Sequence, residues 1–259
     1  MTTLSDQDRL WIRRYHPRPD AAVRLVCLPH AGGSASFYRP VSAAAPPSVD
    51  VLAVQYPGRQ DRLDEPCLAS IGELADRITS VLLPRTDRPL LLFGHSMGAT
   101  IGFEVACRLE RDHGVVPHGL FVSARRAPSC PHGGTVHQRD DEGVVEEMRR
   151  LSGTDAAVFD DPEILRMAMP AIRADYQAVE TYAYEPGPNL RCPVWSLAGD
   201  DDPKVTLDEA RAWSGHTDGP FEFHSFDGGH FYLNDHQEAV LDLITARAAA
   251  TAPTGISRG

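Results

Sequence analysis

The sequence feature that most constrains the fold is a serine flanked by glycines, placed between an apolar run and an amphipathic stretch. Gly94-His95-Ser96-Met97-Gly98 has the pattern G-x-S-x-G. The apolar run Leu90–Phe93 precedes it, and the helical pattern of Ala99–Leu109 follows it. A tight turn from a strand into a helix needs small residues beside its strained serine, and both glycines meet that need. The pattern therefore predicts that Ser96 projects above a sheet at the N-terminus of a helix.

The apolar runs of the chain have the composition of strands that are buried on both faces of a parallel sheet. Several of them are almost continuously apolar, as such strands must be. The predicted strands are Val23–Leu28, Val51–Gln55, Leu90–Phe93, Gly119–Ser123, Val194–Ala198 and Phe221–Phe226.

Helical patterns with a period of 3.6 residues separate these strands. Thr206 and Glu209 form a capping-box pattern at the start of one of them. The alternation of strands and helices predicts an α/β fold with a mostly parallel central sheet and helices on both faces. The apolar positions of the helices are Leu68, Ile71, Leu74, Ala75, Ile78 and Leu82, then Ile101, Val105 and Leu109, then Leu207, Ala210 and Trp213, and finally Ala239, Leu243 and Ala246.

One interval, about residues 130–186, contains no convincing strand. Val144, Val145, Met148 and Leu151 make one helical face in it. Asp161-Pro162-Glu163 begins a second helix, which we expect Pro170 to kink or split. We predict a helical lid over the carboxyl edge of the sheet, where ligands bind in such folds, with extra packing on the core as the alternative. The chain is thus expected to be a single domain, 1–259, with a frayed tail at about 248–259 that is rich in Ala, Thr, Gly and Pro.

A serine hydroxyl is a weak nucleophile at neutral pH and needs a general base. Where a serine lies at such a strand-to-helix turn, an acid and then a histidine follow it along the chain. Gly228-Gly229-His230 follows the run Phe221–Phe226, and its two glycines allow a tight loop that directs His230 toward Ser96. The other late histidines fit less well, since they lie within a strand, in or near the last helix, and on a polar turn: His224, His236 and His216, respectively.

We expect the acid on the loop after the preceding strand, Val194–Ala198. Three aspartates follow this strand, and Asp202 precedes a proline that would fix the loop. Asp202 is therefore the favoured acid, with Asp200 and Asp201 as alternatives. The three aspartates could instead form a solvated turn or bind a cation, but no His or Cys ligand pattern accompanies them.

Acyl transfer also needs hydrogen-bond donors for the oxyanion that develops at the carbonyl. The backbone N–H of Met97, directly after the nucleophile, is one predicted donor. The glycine-rich loop Pro29–Gly33, after the strand Val23–Leu28, supplies the other. Within this loop the N–H of Ala31 is favoured and that of Gly32 is the alternative. The loop could also cradle a phosphate, but the Lys-Ser/Thr of a phosphate-binding loop does not follow it.

Charge and composition narrow the set of partners. The chain has 25 Lys and Arg against 36 Asp and Glu, a formal net charge of −11, so it has no bulk electrostatic reason to bind nucleic acid or an anionic membrane. No apolar run approaches the roughly 18–20 residues of a membrane span, and the N-terminus lacks an apolar signal-peptide core. The five cysteines are scattered without a C-x-x-C pair, which argues against a disulfide framework and a zinc site and for a reducing cytoplasm.

Short sequence blocks occur in a characteristic order along the chain. They are Pro29-His30-Ala31-Gly32-Gly33, Tyr56-Pro57-Gly58-Arg59, Gly94-His95-Ser96-Met97-Gly98-Ala99, Ser123-Ala124-Arg125-Arg126-Ala127-Pro128, Gly199-Asp200-Asp201-Asp202-Pro203 and Gly228-Gly229-His230-Phe231. Together they resemble the stand-alone type II thioesterases of nonribosomal peptide and polyketide synthesis, from about Trp11 to Ile244. Many α/β-hydrolases share the serine block, whereas the first two blocks are much more particular.

This resemblance implies an α/β-hydrolase fold with a helical lid at 130–186. It implies hydrolysis of acyl groups from the phosphopantetheine arm of acyl or peptidyl carrier proteins, which clears misprimed or stalled units. It assigns Ser96 as nucleophile, Asp202 as acid and His230 as base, with the N–H groups of Ala31 and Met97 as the oxyanion hole. We further expect a monomer in the cytoplasm that needs no cofactor and no metal and binds neither nucleic acid nor membrane.

Two other functions compete with this one. The first is another hydrolase or acyltransferase on the same fold, such as an esterase for small soluble esters or an integrated cyclising thioesterase. We expect a stand-alone enzyme, because no carrier-protein segment is attached to the chain. The second is a catalytically inactive binding module, against which the complete set of Ser96, Asp202 and His230 argues.

A long, thin phosphopantetheine arm calls for a channel rather than an open cleft. The predicted lid carries adaptable apolar residues that could line it, or that could simply pack the lid on the core. Arg125 and Arg126 follow a strand and are predicted as a local basic patch for carrier docking, with internal salt bridges as the alternative. The apolar lid residues in question are Met148, Met167, Met169, Tyr176 and Tyr182.

Overall fold

A computed structural model of the protein describes residues 10–131, 133–151 and 161–249. The strands in this part of the chain are β1 (Ile12–Arg13), β2 (Val23–Leu28), β3 (Val49–Val54), β4 (Leu90–His95), β5 (Gly119–Ser123), β6 (Val194–Gly199) and β7 (Phe221–Phe226). They form one seven-stranded sheet in the order β1-β3-β2-β4-β5-β6-β7. β1 is antiparallel to β3, and all the other neighbours are parallel.

The predicted strands are confirmed, with small differences at their ends. β3 begins at Val49 rather than Val51, and β4 continues to His95, so that it ends directly before Ser96. β1 was not predicted, because two residues are too few to carry a hydrophobic pattern. The mostly parallel sheet with helices on both faces is also confirmed, and the carboxyl ends of β4, β6 and β7 therefore lie at one edge.

Helices cover both faces of this sheet. They are α1 (Arg39–Ala44), α2 (Ile71–Leu82), α3 (Met97–His113), α4 (Asp141–Leu151), α5 (Pro162–Glu180), α6 (Leu207–Arg211) and α7 (Gln237–Ala249). On one face α2 and α3 pack against alternate strand residues such as Val26 and Leu92. On the opposite face α7 packs against Leu91 and Phe93. The alternation of side chains along each strand thus fills two apolar cores.

The last helix buries a different face from the one that its sequence pattern predicted. Val240, Ile244 and Ala248 are buried in α7, whereas Ala239 and Ala246 are exposed. The helix is apolar nearly all round, since Leu241 and Leu243 flank the buried row, so the periodicity did not select the right face. The helix extends to Ala249, and residues 250–259 of the predicted tail lie outside the described residues.

The predicted lid contains α4 and α5, and its described part contains no strand. These helices share an apolar cluster of their own, separate from the two cores of the sheet. α5 continues through Pro170, so the helix is not split there. Pro170 lies on the exposed side of α5, where water can bond the Arg166 carbonyl that loses its helical partner.

Candidate active site

The turn between β4 and α3 places Ser96 as the sequence predicts. Ser96 has φ 53° and ψ −115° and precedes the first residue of α3. A Cβ on Gly94 would overlap the carbonyl of Gly98, and a Cβ on Gly98 would overlap the carbonyl of Leu28. The two glycines are therefore required by close backbone approach on both sides of the serine.

A hydrogen-bonded series of side chains connects Ser96 to the loops after β6 and β7. His230 Nε2 lies 2.9 Å from Ser96 Oγ. His230 Nδ1 lies 2.9 Å from Asp202 Oδ2 and 3.1 Å from Oδ1. The side chains of His230 and Asp202 are 4% and 0% exposed, so both are shielded from water. A buried carboxylate at Nδ1 fixes the tautomer that leaves Nε2 free to accept the serine proton.

The neighbouring aspartates have other contacts. Asp200 Oδ1 accepts the N–H of Gly228 at 2.9 Å, and the N–H of Asp201 donates to the Gly228 carbonyl at 3.0 Å. Both contacts pin the β6 loop to the β7 loop that carries His230. Asp202 Oδ1 also accepts the N–H of Lys204 at 2.8 Å. This second hydrogen bond fixes the orientation of the carboxylate that binds the imidazole.

The histidines that fitted less well lie away from Ser96. His224 is in β7 beside Glu222, and His236 Nε2 lies 2.9 Å from the Asp227 carbonyl oxygen. His216 does not lie on a polar turn as predicted. It is buried among Phe103, Trp213 and Tyr184, and its Nε2 is 2.9 Å from Ser129 Oγ. Two of these aromatic residues, Phe103 and Tyr184, are distant in the sequence, so no local pattern predicted the burial of His216.

The glycine-rich loop after β2 lies beside Ser96. Of the two N–H groups that the sequence left open in it, that of Gly32 donates to Asp175 Oδ2 at 2.8 Å. This bond favours Ala31 over Gly32 as the loop's oxyanion donor. Ala31 lines the same cavity as Ser96 and His230. Met97 is the first residue of α3, where a backbone N–H has no partner four residues earlier in the helix.

A buried ion pair links this loop to the lid. Arg59 donates from Nη1 and Nη2 to the two carboxylate oxygens of Asp175, each at 2.9 Å, and from Nη1 to the Gly33 carbonyl at 3.1 Å. Asp175 lies on α5 and its side chain is 1% exposed. Sequence reasoning missed this pair. Arg59 belongs to the particular Tyr-Pro-Gly-Arg block, but its partner lies 116 residues away and carries no local signal.

A cavity of about 110 Å³ lies between the nucleophile turn and the lid. Its walls include Met148 and Tyr176 of the lid, two of the predicted lining residues. Met169 is buried in the lid cluster instead, and Met167 is 48% exposed. Tyr182 donates to Glu104 Oε1 at 2.6 Å and so attaches the end of the lid to α3.

The two arginines after β5 lie in the cavity wall rather than on an open surface. Arg126 pairs with Glu209 at 3.1 Å, as the salt-bridge alternative predicts. The guanidinium of Arg125 makes no ion pair or hydrogen bond within residues 10–131, 133–151 and 161–249. Burial, with the charge of Arg126 acting in the same direction, lowers the pKa of Arg125 to about 10. Arg125 therefore contributes a cation to the cavity.

Two more histidines are buried beside the triad-like series. Burial, with the charges of His230 and Arg59 acting in the same direction, lowers the pKa of His30 to about 3. Burial also lowers the pKa of His95 well below its usual value. His95 Nδ1 lies 2.9 Å from Ser123 Oγ. Both rings stay neutral at neutral pH, so they pack around His230 without competing for the serine proton.

Within the described part of the chain, no group of three or more His, Cys, Asp or Glu side chains has the arrangement of a metal site. No helix of the described residues is long and apolar enough to cross a membrane.

Comparisons with known proteins agree with this geometry. Residues 23–248 match the sequence model of the family described as "Thioesterase domain". The chain is 54% identical over 240 residues to the "Probable cadicidin biosynthesis thioesterase" of Streptomyces griseus, covering 93% of this chain and 66% of that protein. It is 52% identical over 243 residues to "Thioesterase PikA5" of Streptomyces venezuelae, covering 93% of this chain and 86% of that one.

Solved structures show the same fold. The type II thioesterase BorB from the borrelidin biosynthetic cluster matches with a TM-score of 0.88 and 57% identity, covering 95% of this chain and 100% of BorB. The RedJ thioesterase from the prodiginine pathway of Streptomyces coelicolor matches with a TM-score of 0.84 and 35% identity, covering 90% and 93%. The predicted α/β-hydrolase fold is confirmed, and the chain belongs to the thioesterase domain family, whose type II members it resembles in sequence and structure.

Proposed function

We propose that this thioesterase hydrolyses acyl groups from the phosphopantetheine arm of acyl or peptidyl carrier proteins and so clears stalled or misprimed synthases. The observation that carries the proposal is the hydrogen-bonded series Asp202–His230–Ser96, whose Ser96 and His230 line a small cavity. The names of relatives from the cadicidin and borrelidin pathways support the biosynthetic setting.

In the proposed acylation step, Ser96 Oγ attacks the thioester carbonyl carbon while His230 Nε2 takes the hydroxyl proton. Asp202 holds the imidazole by its Nδ1–H and stabilises the imidazolium that forms. The carbonyl oxygen becomes an oxyanion and accepts the N–H groups of Ala31 and Met97. Such donors act strongly because they are fixed before the charge develops.

The tetrahedral intermediate then collapses. The C–S bond breaks, His230 gives its proton to the departing sulfur so that the arm leaves as a thiol, and an acyl-enzyme ester remains on Ser96. A thiolate is a far better leaving group than an alkoxide or an amine, so modest acid catalysis from His230 is sufficient. In the second half, the neutral His230 removes a proton from the water that attacks the ester. The C–O bond to Ser96 then breaks, Ser96 Oγ takes the proton back from His230, and the free acid is released. This chemistry uses no metal or organic cofactor.

The size of the cavity indicates which acyl groups can bind in it. An engineered cavity of about 150 Å³ holds benzene, so about 110 Å³ suits a short acyl group of a few heavy atoms. Met148 in its wall has a flexible thioether side chain that fits different shapes. We propose that residues 130–186 act as a lid under which the arm reaches Ser96, and that the enzyme accepts several short acyl groups.

We propose that carrier proteins dock through local contacts rather than long-range attraction. The chain has a formal net charge of −11, so it repels an acidic carrier at a distance. Small and transient interfaces are sufficient for an enzyme that samples many carriers.

The five unpaired cysteines support a reducing compartment, and we assign the reaction to the cytoplasm.

The experiment that tests the proposal compares kcat/KM on three substrates with the same short acyl group. They are a loaded carrier protein, the acyl-pantetheine thioester and a soluble oxygen ester, with Ser96→Ala as the inactive control. We expect the loaded carrier to be the best substrate and the oxygen ester the poorest. Equal values for carrier and free thioester would exclude recognition of the carrier. Faster hydrolysis of the soluble ester would replace the proposal by a general esterase.

A further inference from the structure

The loop that carries Ala31 is held at both ends by side chains from other parts of the molecule. The Tyr56 hydroxyl donates to the Pro29 carbonyl at 3.1 Å at the start of the loop. Asp175 accepts the N–H of Gly32, and Arg59 donates to the carbonyl of Gly33 at its end. Ala31 lies between these anchors, one peptide group away from the N–H that Asp175 binds.

We propose that Asp175 and Arg59 are positioning residues, a clamp that holds the loop Pro29–Gly33 with the Ala31 N–H directed at the oxyanion. The inference rests on the proposed function, in which Ala31 is an oxyanion donor. Neither residue touches the reacting atoms, and both act through the backbone of the loop.

The composition of the clamp favours a geometric role over a contribution to stability. A buried ion pair is weak evidence for stability, because desolvation of both charges offsets their attraction. Here the desolvation cost is larger still, since Arg59 Nε is buried without a hydrogen-bond partner. Two parallel N–H···O bonds between guanidinium and carboxylate nevertheless fix the relative orientation of both groups. The pair therefore imposes a defined position on the two loop peptides that it binds.

Close packing makes this position sensitive to the lid. Asp175 lies on α5, and the space above Gly32 is closed by Ile172 of the same helix and by Met148 of α4. The lid helices thus both bind the Gly32 N–H and cover the loop with apolar side chains. Displacement of α5 would remove the acceptor of the Gly32 N–H and free the adjacent peptide of Ala31. The oxyanion hole is complete only while the lid helix is seated.

The expected effect follows from the tolerance of an oxyanion hole. Misplacement of a catalytic group by about 1 Å costs on the order of 100-fold in rate, and loss of one oxyanion donor costs roughly 100- to 1,000-fold. Asp175→Ala removes both the acceptor of Gly32 and the partner of Arg59, so we expect kcat to fall about 100-fold. Asp175→Asn keeps one acceptor oxygen, so we expect a loss of about 10-fold. KM should change much less than kcat in both variants.

A second readout separates positioning from general damage. A boronic acid forms a tetrahedral adduct on Ser96 and places an oxygen in the oxyanion hole. Its affinity should fall in proportion to kcat/KM across wild type, Asp175→Asn and Asp175→Ala. The apparent pKa of the pH–rate profile should stay where it is, because the base is unchanged. Arg59→Gln combined with Asp175→Asn should cost no more than the worse single change, since the two residues act as one unit.

Tyr182→Phe is the matched control. It removes a hydrogen bond of 2.6 Å between the lid and α3, away from the oxyanion loop, and keeps the ring. We expect kcat and boronate affinity within about twofold of wild type, as for a change away from the site. A thermal melt of every variant shows which of them fold.

Three results would overturn the inference. They are full activity in a folded Asp175→Ala, unchanged boronate affinity despite reduced kcat, and a Tyr182→Phe variant that loses as much as the Asp175 variants. None of these touches the proposed function, which fails separately if wild type does not hydrolyse acyl-carrier substrates or if Ser96→Ala retains activity.

Discussion

Two regions meet at the cavity, the nucleophile turn and the lid, and they are held in place by different forces. At the turn between β4 and α3, backbone packs on backbone so closely that Gly94 and Gly98 admit no side chain. The lid is attached mainly through side chains. Arg59 and Asp175 bind it to the loop after β2, and Tyr182 binds it to α3. One region is fixed by steric exclusion and the other by directed polar contacts.

This difference indicates which region can adapt. Close-packed backbone has few alternative arrangements, so the position of Ser96 is insensitive to charge and salt. Hydrogen bonds to charged groups contribute roughly 1.5–3 kcal/mol each and can be broken one at a time, so we expect the lid to move more readily than the turn. The proposed acceptance of several short acyl groups requires a constant nucleophile beneath an adaptable wall. The predictions below test this contrast.

The largest effect is expected from the catalytic side chains. Ser96→Ala removes the nucleophile and His230→Ala removes the base, so each should lower kcat on an acyl-carrier substrate by roughly 10⁴-fold or more. Asp202→Asn should cost the same or less. Single-turnover release of the acyl group measures these losses.

The neighbouring aspartates supply the control. Asp200 binds the Gly228 N–H rather than the imidazole, so Asp200→Asn should retain most of the activity. Asp201→Asn should also be mild, because its described contact is made by its backbone N–H. Severe loss in either variant with an active Asp202→Asn would transfer the role of the acid to that neighbour.

The next effect tests steric exclusion at the turn. Gly98→Ala places a methyl group against the Leu28 carbonyl, which cannot move without shifting β2. We expect a loss of about 3 kcal/mol or more in the free energy of unfolding, at the upper end for overpacked sites. Urea unfolding followed by circular dichroism measures it.

Gly187→Ala is the control for this substitution. Nothing lies within 4 Å of the added methyl group at this position. Its free energy of unfolding should stay within about 0.5 kcal/mol of wild type. A Gly98→Ala variant as stable as this control would show that the turn is not sterically fixed.

The same contrast explains what the sequence could predict. The nucleophile turn, the strands and the loops of Asp202 and His230 are local patterns, since each glycine or apolar run lies within a few residues of what it determines. The strand order that brings Ser96, Asp202 and His230 together follows from the fold that these patterns indicate. The placement of these residues was therefore predictable, and their catalytic roles stay predictions.

The parts that sequence reasoning missed depend on long-range contacts. Arg59 meets Asp175 only because α5 crosses the loop after β2. His216 is buried because Phe103 and Tyr184 approach it from distant segments. The predicted buried face of α7 was wrong because the helix is apolar nearly all round, so tertiary packing decides which face is buried. No periodicity in the chain encodes any of these.

A further prediction concerns acid stability near the nucleophile turn. His30 and His95 are held neutral in the folded protein, with pKa values lowered by burial, to about 3 for His30. In the unfolded chain they take up protons below about pH 6.5. Folding stability should therefore fall as the pH decreases below about 6.5, by up to about 1.4 kcal/mol per pH unit for each ring that stays neutral in the fold. His30→Asn should reduce the number of protons taken up on unfolding between pH 6.5 and 5 by about one. The slope of the free energy of unfolding against pH, measured by urea unfolding, should decrease accordingly. An unchanged slope would mean that His30 is protonated in the fold.

The smallest effect is expected at the lid, where Glu147 of α4 bonds to Arg150 and pairs with Lys204 beyond β6. Burial alone would raise the pKa of Glu147, but hydrogen bonds from Arg150 and Lys204 lower it from 4.5 to about 2. A carboxylate with a lowered pKa stabilises the fold above its ordinary pKa and loses that contribution as the pH falls. Its window, pH 4.5 down to 2, lies mostly below that of the buried histidines.

Glu147→Gln should therefore destabilise the protein by about 1 kcal/mol at pH 7, since its cationic partners are partly exposed. The difference from wild type should shrink as the pH approaches 2. Hydrogen exchange in residues 141–151 should accelerate, while exchange at the start of α3 stays unchanged, because only the lid depends on this contact. Equal acceleration in both regions would mean that the lid and the nucleophile turn unfold as one unit, and that the contrast between them is confined to their contacts.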